Sequence, residues 1–525
     1  MCDINKLRKQ INSAFSLSGY KIQSQACAFL LDQLKPLPPN EQNLWLNKLT
    51  AHVQTQELKL PVVGQNEIEL AIKSCSRSRS DDTESIFSVI SAFDVPKFYY
   101  NEERKKFLPE DRKSELGTVQ YMPIVNMKSD YMKYRYAVLY QRISRHELFC
   151  PPVIGKKIEP GKKFNLRTVE TLLSLSKMNN VVVLGLLTQL KEGQFFIEDV
   201  TGAVPINITN ARFHNGLFCE GCFILAEGNY EDGILMVHGL GFPPPETAKN
   251  SRAYFGTLNT WGGPSRTLLK LSPKLAAIEN NNADATIAFL SDVWLDSPQV
   301  MAKLGELFSG YDSCPPVAIV LMGPFVRENG NPFNLKNHLS ALGDLISNFE
   351  NIKTETDIIL VPSADDPSAP KLLPRLPIPE CLATSLLKKI PRVKLATNPC
   401  RLQYCTQQVL VCRADLLTKM CRNAVKFPTE GDLGEHFART LICQGTLAPV
   451  TQLVVPTLWA HDAALSLYPL PDLIVIGDTS SGFNASLYDC LVINTGSFPK
   501  SKFSFKVYVP AIRTIEDSQI SDKDD

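Results

Sequence analysis

Apolar residues recur along this chain in three different rhythms, and each change of rhythm marks a division. Up to about residue 75 the period is helical. Ile4, Leu7, Ile11 and Phe15 share one face, and Ala26, Phe29, Leu30 and Leu34 share another. Pro36, Pro38 and Pro39 stop the second of these helices, because proline has no amide hydrogen and its ring collides with the preceding turn. Leu44, Leu49 and Val53 carry a third stretch and Ile68 and Ile72 a fourth, so a compact bundle of about four short helices is expected over 1–75. The polar run Ser74–Ser80, SCSRSRS, reads as a linker. Asp81 or Asp82 is then expected to cap a short helix carrying Ile86, Phe87 and Ile90.

From Phe164 the period shortens to two. Val181–Leu190 is followed by the turn Lys191-Glu192-Gly193, by Phe195–Glu198, and by Val204, Ile206 and Ile208 in alternation; Phe223–Glu227 and Ile234–Gly239 complete the set. About five short strands in this order suit a small barrel of the OB type over 164–245. Beyond Arg252 fully apolar runs alternate with helical ones. Strands are expected at Thr286–Leu290, Val317–Met322, Ile358–Val361, Val393–Ala396, Val409–Cys412, Leu473–Ile476, Leu491–Ile493 and Phe503–Val509, with helices carrying Val300, Leu304 and Leu307, then Leu339, Leu342 and Ile346, then Phe437 and Leu441. Strands buried on both faces and covered by helices make a layered α/β sandwich over 246–515. The acidic stretch 516–525 is expected to be a disordered tail.

A net charge of +1 over 525 residues excludes a whole-molecule electrostatic grip on nucleic acid. A linker with a basic, aromatic anchoring segment is expected over 76–163, and around it the balance differs: Lys97–Arg167 holds 16 Lys and Arg against 8 Asp and Glu, interleaved with Phe98, Tyr99, Tyr100, Phe107, Tyr131, Tyr134, Tyr136 and Tyr140. Such a segment either anchors a connector on its neighbours through the aromatics or holds single-stranded nucleic acid by stacking. Phe195 and Phe196 on the second barrel strand are the other candidate for that contact, although adjacent strand residues face opposite ways and only one can serve. The fourteen cysteines show no framework spacing. Cys219 and Cys222 form the only Cys-x-x-C, without two further ligands at zinc spacing. With no secretory leader or run of roughly 18 apolar residues, a soluble protein of a reducing compartment, cytosol or nucleus, is expected.

The stretch Ala285–Asp296, ATIAFLSDVWLD, ends an apolar strand in a carboxylate, where a two-metal phosphoesterase places Asp-x-His; here stand Asp292, Val293 and Trp294. The next strand end should read Gly-Asp and reads Gly323-Pro324. The one after should read Gly-Asn-His-Asp and reads Pro362-Ser363-Ala364-Asp365-Asp366. His436 and His461 sit in neither a Gly-His nor a His-x-His context. The ligand positions Asp292, Trp294, Pro324, Asp365 and Asp366 are therefore read as degraded: the carboxylates, with Asp478, lack the imidazoles and the bridging aspartate of a two-metal clamp. No phosphate loop follows Asn259–Ser265, and there is no Gly-x-Ser-x-Gly elbow. No catalytic residue, cofactor or metal is expected.

The blocks FLSDVWLD (Phe289–Asp296), TNPCRLQYC (Thr397–Cys405), PDLIVIGD (Pro471–Asp478) and INTGSF (Ile493–Phe498), behind an OB-type barrel, resemble the B subunits of replicative DNA polymerases. Thr495 stands where that family has proline, while the Gly496-Ser497 turn is kept. FDVPKFYYNEERKKFL, ELFCPPVIG and the helical first 75 residues resemble the epsilon branch. The resemblance implies a multidomain α+β protein: a helical bundle like an AAA+ lid, an OB barrel, and a calcineurin-like phosphoesterase sandwich without metal ligands. It further implies a nuclear, non-catalytic scaffold that holds the cysteine-rich C-terminal region of the DNA polymerase epsilon catalytic subunit and associates with the other epsilon subunits. Residues 1–75 would then meet the replicative helicase assembly through GINS. A single-stranded DNA-binding protein is the alternative, and a metal-dependent phosphodiesterase a remote one.

Overall fold

The computed structural model describes residues 4–17, 19–34, 46, 49, 50, 53, 62–64, 67, 68, 85–110, 126–150 and 164–520, without 266, 328–331 and 368. It divides into two compact units, Met1–Ser85 and Ile86–Asp525. In the first, α1 (Ile4–Leu17) leads through β1 (Lys21–Ile22) to α2 (Ser24–Leu34), and β1 pairs in parallel with β2 (Val62–Val63). Leu7, Ile11 and Phe15 of α1 and Ala26, Leu30 and Leu34 of α2 are buried together with Leu49, Val53 and Ile68. The linker Ser74–Ser80, the capping Asp81 and Asp82, and Leu44 and Ile72 lie outside the described residues.

The second unit opens with a correction. Phe87–Ser91 is not a helix but a strand, β3, antiparallel to Cys400–Tyr404 with Phe87 opposite Tyr404 and Ser91 opposite Cys400. The reason is burial on both sides: Phe87 and Val89 pack into one core while Ile90 joins another, an alternation that only an extended chain provides. The basic, aromatic segment continues as the hairpin β4 (Phe98–Asn101) and β5 (Lys106–Pro109), then as α3 (Met127–Arg145). Its aromatics are mainly anchors. Phe98 and Phe107 are buried with Val138, Phe255 and Tyr468, and Phe107 stacks on Phe255 with ring centroids 4.3 Å apart. Leu139 and Ile143, on the neighbouring stripe of α3, pack on Leu184 and Phe223. Tyr99 and Tyr140 are the exposed ones.

The barrel comprises β6 (Leu166–Arg167), β7 (Lys177–Lys191), β8 (Gln194–Glu198), β9 (Ala203–Asn207), β10 (Arg212–Phe213), β11 (Phe223–Glu231) and β12 (Ile234–Gly241). Their order is β10-β12-β11-β7-β8-β9; β12 also pairs with β9, which closes the sheet on itself, and β6 pairs with β7. Val183, Leu187, Ile197, Val204, Ile224 and Leu235 fill the inside.

Two six-stranded sheets follow. The first contains β13 (Ile287–Leu290), β14 (Ala318–Met322), β15 (Asp357–Val361) and β16 (Val393–Leu395). The second contains β17 (Cys400–Tyr404), β18 (Gln407–Arg413), β19 (Leu473–Gly477), β20 (Phe483–Leu487) and β21 (Cys490–Asn494), with β3 at its edge beside β17. The chain then returns to the first sheet as β22 (Ser504–Val509) and β23 (Thr514–Gln519), giving the orders β16-β15-β14-β13-β22-β23 and β20-β21-β19-β18-β17-β3. Phe289, Val320, Ile359, Val411, Val475 and Ile493 meet between the sheets. The acidic stretch therefore does not begin as a tail at 516: Glu516 lies opposite Val507 in β22, and Asp517 forms an ion pair with Lys506.

Helices cover the outer faces. Pro298–Tyr311, Pro332–Ile346 and Glu380–Lys389 pack on the first sheet, while α4 (Leu416–Arg422) and α5 (Leu433–Gln444) share one continuous core with the second sheet and the barrel. The barrel is attached by polar bonds as well. Gln444 accepts from the Phe223 amide at 2.8 Å and donates to its carbonyl at 2.7 Å. The Cys-x-x-C turn faces inward to the same seam, Cys222 donating to the Pro449 carbonyl at 3.0 Å and Cys219 to that of Met420 at 3.3 Å. Replacing Gln444 by leucine removes both bonds to Phe223 and strands a buried amide pair. The expected cost is about 2–4 kcal/mol in chemical unfolding, against little change for the exposed Gln189→Leu.

The candidate site at the strand ends

The carboxyl ends of β13, β14 and β15 from one sheet, and of β18, β19 and β21 from the other, converge. These are the positions at which the sequence places the metal stations, and what occupies their centre is a cation of the protein itself. Arg413, the last residue of β18, donates from Nε to the Gly323 carbonyl at 2.7 Å and from Nη1 to that of Gly477 at 2.8 Å. Its Nη2 meets Asp292 Oδ1 at 2.6 Å, and Nη1 also reaches Asp415 Oδ1 at 3.0 Å. The side chains of Arg413 and Asp292 are 5% and 2% exposed, so this is a fully desolvated pair. Burial works against the arginine's charge, but Asp292 and Asp415 together hold its pKa above the usual value. Asp415 is shifted the other way: burial opposes its ionisation, yet Arg413 and the Thr479 amide keep its carboxyl below the usual range.

Local backbone brings these groups close. Asp292 turns off β13 in the left-handed region at φ 58°, which an aspartate tolerates better than most residues. Gly477 leaves room for the guanidinium: a Cβ there would lie 2.9 Å from Arg413 Cδ and 2.7 Å from Ser291 Oγ. Gly323 does the same for Asp366, whose Oδ2 would sit 2.1 Å from an added Cβ.

The remaining sequence candidates are committed elsewhere. Asp366 is buried and accepts from the amides of Phe325 at 2.8 Å and Ser363 at 2.7 Å. Burial raises its pKa against these bonds. Asp365 points outward and pairs with Lys371 at 2.6 Å. Trp294 stands between two cations, Arg327 at 5.7 Å and Lys500 at 5.8 Å from its ring centroid. Pro324 follows the carbonyl to which Arg413 donates and brings no ligand atom of its own. Asp478 accepts from the Thr418 hydroxyl and the Ser480 amide, each at 2.9 Å. His436 belongs to the barrel seam: Nδ1 accepts from the Gly216 amide at 2.8 Å and Nε2–H donates to the Glu430 carbonyl at 2.7 Å. His461 packs edge-on against Phe93.

These residues do not fit a two-metal centre. A divalent pair at the convergence would stand beside a guanidinium that already neutralises Asp292, and the other carboxylates spend their lone pairs on N–H and O–H donors. Among the described residues no group of three or more His, Cys, Asp or Glu is arranged to hold a metal. On the barrel, Phe195 and Phe196 are separated as the strand period requires. Phe195 packs on the barrel core on the same side as Ile197, and Phe196, opposite Pro205 and Thr188, lies on the other face and is half-buried. Sequence reasoning overlooked Arg413, though a signal was present: a lone arginine ending the buried run Gln408–Cys412, two residues before an aspartate.

Arg413→Met should cost about 3–5 kcal/mol, since it leaves Asp292 buried and unpaired. Arg413→Met with Asp292→Leu should recover at least half of that loss. A double-mutant cycle on thermal unfolding measures the coupling, and additive losses would mean that the pair is not a unit.

Comparisons with known proteins agree over the whole chain. Family models match residues 3–75 (DNA polymerases epsilon N terminal), 125–244 (DNA polymerase epsilon subunit 2-like, OB-fold domain) and 287–485 (the B subunits of DNA polymerases alpha and epsilon). The DNA polymerase epsilon subunit 2 of Drosophila melanogaster is 54% identical over 525 residues, covering 99% of both chains, and that of Homo sapiens 42% identical over 98% of this chain and 99% of its own. A probable DNA polymerase epsilon subunit 2 of Caenorhabditis elegans is 29% identical over 98% of this chain and 95% of its own. The solved structure of an archaeal phosphodiesterase matches with a TM-score of 0.26 at 12% identity, over 45% of this chain and 99% of that one, a likeness too slight to bear on the fold. From the relatives aligned end to end and the three matched segments, the chain belongs to the DNA polymerase epsilon subunit 2 family, the accessory B subunits of that replicative polymerase.

Proposed function

We propose that this accessory subunit acts in the nucleus as a non-catalytic scaffold. Its barrel and sandwich hold the cysteine-rich C-terminal region of the catalytic subunit, and residues 1–75 link the polymerase to the replicative helicase assembly through GINS. The observation that supports the scaffold reading best is Arg413. A side-chain cation bonded to both sheets at the convergence of strand ends makes that point a structural tie in place of a reaction centre, and the phosphoesterase-like sandwich, over 246–515, is read as inactive. The core shared by barrel, α4, α5 and the second sheet holds these parts together, and obligate interfaces need broad surfaces of that kind. For single-strand binding through the barrel, Phe195 is engaged with the barrel core and only Phe196, half-buried on the other face, is left as a stacking platform.

Co-expression with the cysteine-rich C-terminal segment of the catalytic subunit should give one co-eluting, one-to-one peak in size-exclusion chromatography at about 0.5 M salt, where exposed charge pairs are screened. Deleting residues 1–75 should leave that peak intact and abolish capture of GINS; loss of the peak, or retained capture, would contradict the division of labour. The inactive-site reading is checked separately. Wild-type protein with added manganese should hydrolyse a chromogenic phosphodiester no faster than the buffer blank, and turnover that disappears in Asp292→Asn would refute it.

A further inference from the structure

We propose that the seam between barrel and sandwich carries a binding site for single-stranded nucleic acid, built from β10 and from the end of α4 with the residues that follow it. The chain as a whole is nearly balanced in charge, at +1, but two segments without carboxylates meet here. No aspartate or glutamate stands between Asp199 and Glu220, and none between Asp415 and Glu430. The first interval carries Arg212, and the second Lys419, Arg422 and Lys426. Contacts join the two: the Val425 amide donates to the Phe218 carbonyl at 2.8 Å, Ala424 bridges to Cys219, and Lys426 Nζ lies 5.2 Å from the centroid of the Phe213 ring. Arg212, Arg422 and Lys426 are exposed and Lys419 is half-buried. Lys177 and Lys371, exposed elsewhere on this unit, have carboxylate partners in Glu231 and Asp365, whereas among the described residues none of these four cations is in an ion pair. Two aromatic rings stand among them. Phe213 is half-buried and braced edge-on by Phe218 at 5.3 Å, and Phe427, directly after Lys426, is 54% exposed.

This combination selects the ligand. Cations without counter-charges of their own neutralise phosphates, and each phosphate neutralised releases condensed counterions. An exposed aromatic ring gains from a base stacked on its free face, which a single strand offers and a duplex keeps inside its own stack. An acidic polypeptide would satisfy the cations equally but would leave the Phe427 ring without a flat partner. The site is separate from the candidate on the barrel strand: β10 pairs with β12, whereas Phe196 stands on β8 between β7 and β9. One half of it belongs to the barrel and the other to the sandwich, so it exists only while the seam is closed, and the Cys219 bond to the Met420 carbonyl helps to close it. Glu430, Asp432 and Glu435 follow directly and limit the basic stretch in that direction.

The test is fluorescence anisotropy of the full chain with a labelled oligothymidylate of about 20 nucleotides, longer than the roughly 4–16 that one OB fold covers. Binding should be measurable at about 50 mM salt and should fall with a log–log salt slope of about −3, from roughly 0.7 per neutralised phosphate on four cations. Phe427→Ala should weaken it roughly five- to a hundredfold with the slope kept, and Arg212→Gln combined with Lys426→Gln should flatten the slope by about 1.4. Phe196→Ala should change neither. These substitutions lie at the surface, and an unchanged unfolding midpoint confirms that each variant is folded. On a duplex of the same length Phe427→Ala should have no effect. No binding at about 50 mM salt, or binding lost in Phe196→Ala and kept in Phe427→Ala, overturns the assignment. An equal loss on the duplex overturns the preference for single strands. Polyglutamate that displaces the oligonucleotide at equal charge concentration, with Phe427→Ala silent, overturns it in favour of an acidic polypeptide.

Discussion

A guanidinium shut between two sheets has to find acceptors for its N–H groups within the protein, and in this molecule that requirement dictates the neighbourhood of Arg413. Carbonyls of Gly323 and Gly477 come from opposite sheets, and the carboxylate of Asp292 comes from a third strand end. Each imposes a backbone condition: glycine at 477, where a Cβ would strike the arginine, and at 323, where it would strike Asp366, and a left-handed aspartate at 292 where the chain must turn back toward it. The bonds are worth having only because the pair is complete. A buried carboxylate or guanidinium without its partner costs several kcal/mol, so the two side chains constrain each other far more than either constrains the surface. The same arrangement fills the convergence with one positive group and pairs it with the carboxylate of Asp292.

Around that tie the rest is assembled by shared burial. The barrel, α4, α5 and the outer face of the second sheet have one core, and Gln444, His436 and the Cys219–Cys222 turn stitch the seam with hydrogen bonds to backbone. The basic segment closes the arrangement from outside. Phe98 and Phe107 reach the sandwich, Leu139 and Ile143 reach the barrel, and β3 completes the edge of the second sheet. Barrel, connector and sandwich therefore lie within one compact unit.

Much of this could be read from residue order. The period-two alternation around Val204, Ile206 and Ile208 and the apolar runs at β13, β14, β15 and β19 are strong signals, because a buried strand has little compositional freedom. The segment Ile86–Ile90 misled because five residues cannot distinguish a helical stripe from a strand covered on both faces; its partner, Cys400–Tyr404, is more than 300 positions away. Glu516 and Asp517 suggested a tail for a similar reason. Their charges are solvated, as in a tail, and what orders them is the ladder with β22, a partner that the charges do not reveal.

At the candidate site the chain by itself determined which residue types stand at the strand ends: Trp294 two residues after Asp292, Pro324 after Gly323, and two aspartates without a histidine after β15. These are local facts, legible whatever surrounds them. What gathers at the convergence only the tertiary structure decided. Arg413 is 121 residues from Asp292 and 90 from Gly323, and the local signal, a lone arginine ending an apolar run, does not say which acceptors it meets. Residue types decide which chemistry is available, and burial, which is a property of the whole fold, decides which of it is used.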